Sequence, residues 1–169
     1  MRILMLVLAT LALLATSGFG FLATYRGLTD AKDIDALLGD AKDELAALEG
    51  SSAEAGTLKQ LAESTGRMRV GAVLLGIAGL AGLVLLVLAF LHRGVPWAAL
   101  ALVVLAVAGA FISPHYDLGP FAPASARQLG YVVSVAALLG AGGAFGAWMF
   151  KNRRARAGQA QPEPAASRA

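Results

Sequence analysis

Four long stretches of the chain contain no Asp, Glu, Lys or Arg, and every charged residue lies outside them. They cover residues 3–23, 70–91, 95–112 and 129–150. A helix needs about 20 mainly apolar residues to cross a hydrocarbon layer about 30 Å thick. The apolar positions are continuous rather than alternating, which argues against β-barrel strands. The pattern predicts an all-α integral membrane protein with four transmembrane helices in a compact bundle.

The first stretch also has features of a secretory signal peptide, because it follows Arg2 and contains small residues at Ala15 and Ser17. Its apolar run, however, continues through Phe21 to Tyr25. That is longer than the roughly 7–15 apolar residues of a signal peptide. We therefore interpret the first stretch as an uncleaved membrane anchor.

Composition supports the membrane class and removes several kinds of chemistry. The chain is 57% hydrophobic, with a mean hydropathy of +0.67, which is high for a soluble domain of 169 residues. It contains no cysteine, so disulfides, Cys-ligated metal centres and thiol redox chemistry are excluded. We expect no cofactor.

The basic residues predict an orientation. Lys151, Arg153, Arg154 and Arg156 directly follow the fourth stretch. Such clusters stay on the cytoplasmic side, which predicts a plasma (bacterial inner) membrane protein with both termini inside. The Lys and Arg residues as a whole divide equally between the two sides, so the prediction depends on the clustering. The cluster either sets this topology, which we favour, or binds anionic lipid headgroups.

Residues 24–69 are predicted to form an outer, acidic helical hairpin. Apolar residues recur there with helical spacing between acidic ones. Thr29 or Asp30 is expected to cap the first hairpin helix, and Gly66 to separate the second from the next span. Ser51 and Glu54 have the spacing of a capping box. The apolar positions of the first helix are Ile34, Leu37, Leu38, Ala41, Leu45 and Leu48.

Two uses of this hairpin stay open. Its apolar face either packs within the hairpin or on the membrane surface, which we favour, or contacts a partner through Ile34, Leu38, Leu45 and Leu48. The repeat covers two heptads, fewer than the three or four that indicate a coiled coil.

The remaining segments complete the predicted organisation. Residues 1–156 form a single four-helix membrane domain that includes the hairpin. Residues 113–128 form an outer, Pro-rich loop that folds over the mouth of the bundle. Residues 157–169 form a disordered cytoplasmic tail, because they offer little to bury.

Small residues predict how the helices pack, since close backbone approach drives helix association in lipid. The fourth stretch is the richest in them, and Gly140 and Ala144 are candidate contacts to a partner. We expect the first, second and fourth helices to pack tightly and the third to face lipid more.

Little in the chain points to catalysis. Transporters and proton relays generally carry ionisable groups inside the membrane, and these spans contain no charged residue. His115 and Asp117 offer too few ligands for a metal site, and a Ser134–His115 dyad lacks a nucleophile motif. We expect no catalytic or metal site, and no nucleic-acid binding because the basic segment is short and beside the membrane.

These observations favour a small, non-enzymatic inner-membrane protein. Its partners would be the lipid bilayer and either further copies of itself or other membrane subunits, for which it acts as a structural or accessory subunit. The alternative is a transport or channel component. A third hypothesis is a membrane sensor that relays its signal through a partner.

Overall fold

The chain is described from a computed structural model, over residues 2–47, 52–91, 93–114 and 125–159. All regular elements in these residues are α-helices. Each of them contains one predicted stretch and is long and apolar enough to span a membrane. The all-helical prediction with four such helices is confirmed, and it suggests a membrane protein. The helices are α1 (Arg2–Ala47), α2 (Ser52–Leu91), α3 (Val95–Ile112) and α4 (Ala126–Gln159).

The helices α1 and α2 extend well beyond the charge-free stretches. They have 46 and 40 residues, which corresponds to lengths of about 69 and 60 Å. The predicted breaks at Thr29 or Asp30 and at Gly66 are wrong, because the helices continue through all three positions. The hydroxyl of Thr29 donates to the carbonyl of Tyr25, 2.9 Å away within the helix, instead of capping a new one. Extending an existing helix avoids the cost of nucleation, which outweighs one weak position.

The turn between α2 and α3 is short and depends on Gly94. This residue has a φ of 66°, in the left-handed region that favours glycine. Pro96 follows within the first turn of α3, where the missing amide proton leaves no bond unmade. This tight turn therefore reverses the direction of the chain between α2 and α3.

The boundaries of α4 differ from those predicted. Ser125 and Gln128 form a capping box: the Ser125 amide donates to Gln128 Oε1 at 3.0 Å, and the Gln128 amide donates to Ser125 Oγ at 3.3 Å. At the other end α4 continues to Gln159, so residues 157–159 are helical rather than part of a disordered tail. Alanine has high helix propensity, and basic side chains are favoured near a helix C-terminus.

The four helices surround a common axis in chain order. α1 packs against α2 and α4, and α3 packs against the same two helices. α2 and α4 also meet, whereas α1 and α3 make no contact within the described residues. The axis is filled by large side chains with no exposed surface: Leu13, Leu75, Leu85, Leu102 and Val133.

Side-chain size separates the inner and outer faces. Most other buried positions are Ala or Gly, which let the helix backbones approach closely. Large apolar side chains point outward instead, among them Leu80, Trp97, Phe111 and Leu139. An outer surface of this kind matches the interior of a lipid bilayer rather than water.

The prediction that the third helix faces lipid more than the others is confirmed relative to α2 and α4 and wrong relative to α1. The buried share of the apolar window is 33% in α3, compared with 39% in α2 and in α4 and 28% in α1. A Cβ atom placed on Gly109 would lie 2.9 Å from Leu75 Cγ, so α3 packs closely on α2 through a glycine. α1 has the least buried window of the four helices, so it exposes more of its apolar face than α3 does.

Candidate functional site

The contact between α1 and α2 is made by backbones in close approach. A Cβ atom on Gly20 would lie 2.8 Å from the carbonyl oxygen of Leu75 and 3.1 Å from the Cα atom of Gly79. Two hydroxyls reinforce the contact. Ser17 Oγ lies 2.9 Å from the Gly79 carbonyl, and Thr24 Oγ1 lies 2.8 Å from the Ala72 carbonyl. These polar residues hold helices together within the chain.

The two residues of α4 that were predicted to meet a partner are both packed within the bundle, and Gly140 lies in the contact between α1 and α4. A Cβ atom on Gly140 would lie 2.8 Å from Leu13 Cδ2, and Ala144 is 1% exposed. Both residues are therefore used for packing inside the chain. Among the residues of α4 whose side-chain exposure is described, the exposed small residue is Gly142, where an added Cβ atom would meet nothing within 4 Å.

The predicted face of the hairpin turns inward at its base. Leu38 is 6% exposed and Ile34 is half-buried, while their neighbour Leu37 is 68% exposed. Leu45 belongs to α1, but its side chain lies outside the described part, as does the whole of Leu48. Among the predicted apolar positions of the first hairpin helix whose side chains are described, the exposed one is Leu37.

A small cavity and an ion pair lie at the same level. Asp30, Asp33 and Ile34 of α1 line a cavity of about 200 Å³ together with Met68 of α2. Pro114, Ser125 and Ala126 complete the described part of its wall. Arg69 forms an ion pair with Asp35, and both side chains are partly exposed. The ion pair joins α1 to α2 just beyond the apolar part of the bundle.

The predicted outer loop, residues 113–128, is described only at its two ends. Ser113 is buried and its hydroxyl donates to the Gly109 carbonyl at 2.9 Å. Residues 115–124, which include His115, Tyr116 and Asp117, lie outside the described residues.

Apolar grooves line the outer side of the α1–α4 contact. One groove of about 470 Å³ lies between Met5, Leu8 and Ala12 of α1 and Leu139 and Gly142 of α4. Its walls are almost entirely apolar, and the exposed Gly142 provides open space in it. This groove adds a surface that the sequence pattern alone did not identify.

A smaller groove lies beside it at the basic end of α4. It has a volume of about 110 Å³ and is lined by Gly146, Met149, Phe150 and Arg153. Arg153 is exposed, as is Lys151. Two further members of the predicted basic cluster, Arg154 and Arg156, belong to the helical end of α4, but their side chains are outside the described part.

The described residues contain no group of three or more His, Cys, Asp and Glu side chains able to hold a metal ion. The Ser134 hydroxyl lies 2.8 Å from the Gly130 carbonyl and 3.1 Å from that of Ala106. Its proton is therefore shared with backbone carbonyls of α4 and α3.

No protein-family model, curated protein or solved structure matches this chain.

One feature of α2 was not predicted, because the sequence was divided at the predicted membrane boundary. Buried positions of α2 follow a regular spacing of three and four residues across that boundary: Thr65, Met68, Ala72, Leu75, Gly79 and Gly82. This is the spacing of a coiled-coil seam. The same spacing is present in the sequence on both sides of residue 70, so it is the signal that predicts this face of α2.

Proposed function

We propose that this protein is a small, non-enzymatic integral membrane protein that acts as a structural or accessory subunit. Its four spans would insert into the bacterial inner membrane, and the continuations of α1 and α2 would stand outside it as a helical hairpin. The observation that carries the proposal is the unbroken course of α1 and α2 beyond their apolar parts. A hairpin continuous with the spans offers a partner a surface in fixed relation to the membrane.

The charge distribution supports membrane insertion. The outer surface of the charge-free stretches carries large hydrophobic side chains, and Arg69, which pairs with Asp35, directly precedes the stretch at residues 70–91. Burying charged side chains in hydrocarbon is costly, whereas these apolar surfaces would be costly to leave in water. The boundary of the bilayer would therefore lie close to Arg69 on the outer side and near Lys151 on the inner side.

The packed axis of the bundle favours an assembly role over a pathway. Leu13, Leu75 and Leu85 have no exposed surface, and neither do Leu102 and Val133. Hydroxyl groups such as that of Ser17 bond to backbone carbonyls of neighbouring helices instead of lining a polar channel. We therefore place the transport or channel alternative second, and no feature of the described residues favours the sensor hypothesis.

The partner surface on the described part of the hairpin is assigned to Leu37. It is an exposed leucine on the extension of α1, whereas Leu38 is buried against the rest of the chain. The partner would be a further copy of this chain or the extramembrane part of another membrane subunit. Its contact with Leu37 would form an apolar core, and the charged residues around Leu37 would form a polar rim, as in ordinary protein interfaces.

Cross-linking from single cysteines tests this proposal, because the chain has none of its own. Leu37→Cys is expected to cross-link in native membranes to a second copy or to one stoichiometric partner. Leu38→Cys is the matched control and is expected not to, since its position is buried. A purified, monomeric protein with no cross-link from Leu37→Cys in native membranes would contradict the accessory role.

The same variant tests the proposed orientation. Leu37→Cys should react with a membrane-impermeant maleimide in intact cells. Asn152→Cys, beside the basic cluster, should react only after the membrane is permeabilised. The opposite pattern of labelling would show that the orientation is the reverse of the proposed one. Release of the protein by alkaline carbonate would show that it is not inserted in the membrane.

A further inference from the structure

The grooves beside α4 follow one face of that helix. The lining residues are spaced by three and four positions, which places them on the same side of a helix. On α4 they include Leu139, Gly142, Gly146, Met149 and Arg153. On α1 the facing wall includes Met5, Leu8 and Ala12.

The two grooves meet at Met5. A Cβ atom on Gly143, in the larger groove, would lie 3.2 Å from the Met5 carbonyl oxygen. A Cβ atom on Gly146, in the smaller groove, would lie 3.2 Å from Met5 Sδ. Because one residue lies against both glycines, the two grooves adjoin at Met5 and follow the same face of α4. We call the two grooves together the seam.

The length of the seam matches one half of a bilayer. Leu139 and Arg153 are separated along the helix by about 21 Å at a rise of about 1.5 Å per residue. One leaflet contributes about 15 Å of hydrocarbon, with the headgroup region beyond it. The apolar part of the seam thus has the length of an acyl chain, and Arg153 lies at the level of a lipid phosphate.

The charge at the inner end decides which occupant fits. Arg153 is exposed and takes part in no ion pair among the described residues, where the ion pair found joins Arg69 to Asp35. A transmembrane helix of a second copy would match the apolar groove but not the cation at its end. An anionic lipid matches both, and basic pockets between transmembrane helices on the cytoplasmic side are recurrent sites for anionic headgroups.

We propose that this seam binds one anionic phospholipid, with an acyl chain between α1 and α4 and its phosphate beside Arg153. The site depends on insertion of α4 into a membrane, which the proposed function assumes. It goes beyond that function because it gives the chain a specific lipid ligand. The occupant is taken from the membrane itself and not from free phosphate in solution.

Native mass spectrometry of the full chain in detergent, titrated with dioleoyl phosphatidylglycerol or dioleoyl phosphatidylcholine, tests the site. The wild type should bind phosphatidylglycerol about fivefold more tightly, since one basic residue contributes about 1 kcal/mol near an anionic group. Arg153→Gln should abolish this preference. Lys151→Gln should keep it, because residues two positions apart are separated by about 200° around the helix.

A second pair of variants tests the apolar part of the groove. Gly142→Leu fills open space, since a Cβ atom there meets nothing within 4 Å, and it should weaken binding of both lipids severalfold. Gly18→Leu is the matched control. It is also an open position of a helix, lies outside the groove lining, and should leave lipid binding unchanged.

Several results would overturn the lipid site. Equal affinity for the two lipids would do so, as would equal loss of preference in Arg153→Gln and Lys151→Gln. Cross-linking between two copies of a Gly142→Cys variant in native membranes would show that a second chain, and not a lipid, occupies the groove. Release from membranes by alkaline carbonate would overturn the proposed function as well, whereas retention without lipid preference overturns the lipid site alone.

Discussion

Replacement of Gly20 by alanine tests whether direct backbone contact holds α1 against α2. The added Cβ atom would lie 2.8 Å from the Leu75 carbonyl oxygen and 3.1 Å from the Gly79 Cα atom. Both obstacles are backbone atoms of α2, so no side chain can rotate away and the helices must separate locally. Overpacking a close interior contact costs about 1–3 kcal/mol.

Gly18 provides the matched control for this change. It lies on the same helix, two residues earlier, and a Cβ atom there would meet nothing within 4 Å. Alanine improves helix propensity by about 1 kcal/mol at either position, so this gain cancels in a comparison of the two variants. Gly20→Ala should therefore be less stable than Gly18→Ala by about 1–3 kcal/mol in its free energy of unfolding.

The comparison can be measured by reversible unfolding of purified protein in mixed micelles of a mild detergent and dodecyl sulfate. The intrinsic fluorescence of Trp97 and Trp148 reports the transition. Gly18→Ala is expected to be the most stable of the three proteins, followed by the wild type. Gly20→Ala is expected to be the least stable, or equal to the wild type if the overpacking cost only cancels the gain in helix propensity. Equal unfolding midpoints for the two variants would refute close α1–α2 contact as a source of stability.

Three further changes test individual contacts. Ser17→Ala removes the hydroxyl that lies 2.9 Å from the Gly79 carbonyl and should lower stability by about 0.6 kcal/mol in the same unfolding assay, with no change if the bond does not form. A double-mutant cycle of Asp35→Asn and Arg69→Gln should give a coupling free energy below about 1 kcal/mol that decreases with salt, because the pair is partly exposed. A salt-independent coupling would contradict that assignment. Gly94→Ala should lower the thermal midpoint through a cost of about 1–2 kcal/mol for a side chain at a φ of 66°, and an unchanged midpoint would argue against this turn.

Hydrophobic and charged positions were sufficient to predict the class of fold. Four stretches without charge predicted four apolar helices, since helices of that length and composition suit a bilayer. Helix termini were predicted less well. Thr29 and Gly66 have the residue types of a cap and a break, but a helix that has already formed continues through such positions at small cost.

The candidate sites divide in the same way. The basic cluster at Lys151 and Arg153 was visible because charge beside an apolar stretch is a local signal. The faces of α1 and α4 were not, because glycines occur on several sides of each helix. Gly140 is packed against Leu13, whereas Gly142 is open. Residue type does not distinguish them.

The sequence by itself determined that the chain forms apolar helices of membrane-spanning length, because that depends on composition along a single segment. Only the tertiary structure decided which small residues are inside the bundle, that α1 and α2 are continuous through their charged parts, and that a groove leads along α4 to Arg153. Those properties depend on the rotation and separation of neighbouring helices. They are set by pairwise packing between distant segments, which periodicity within one segment does not encode.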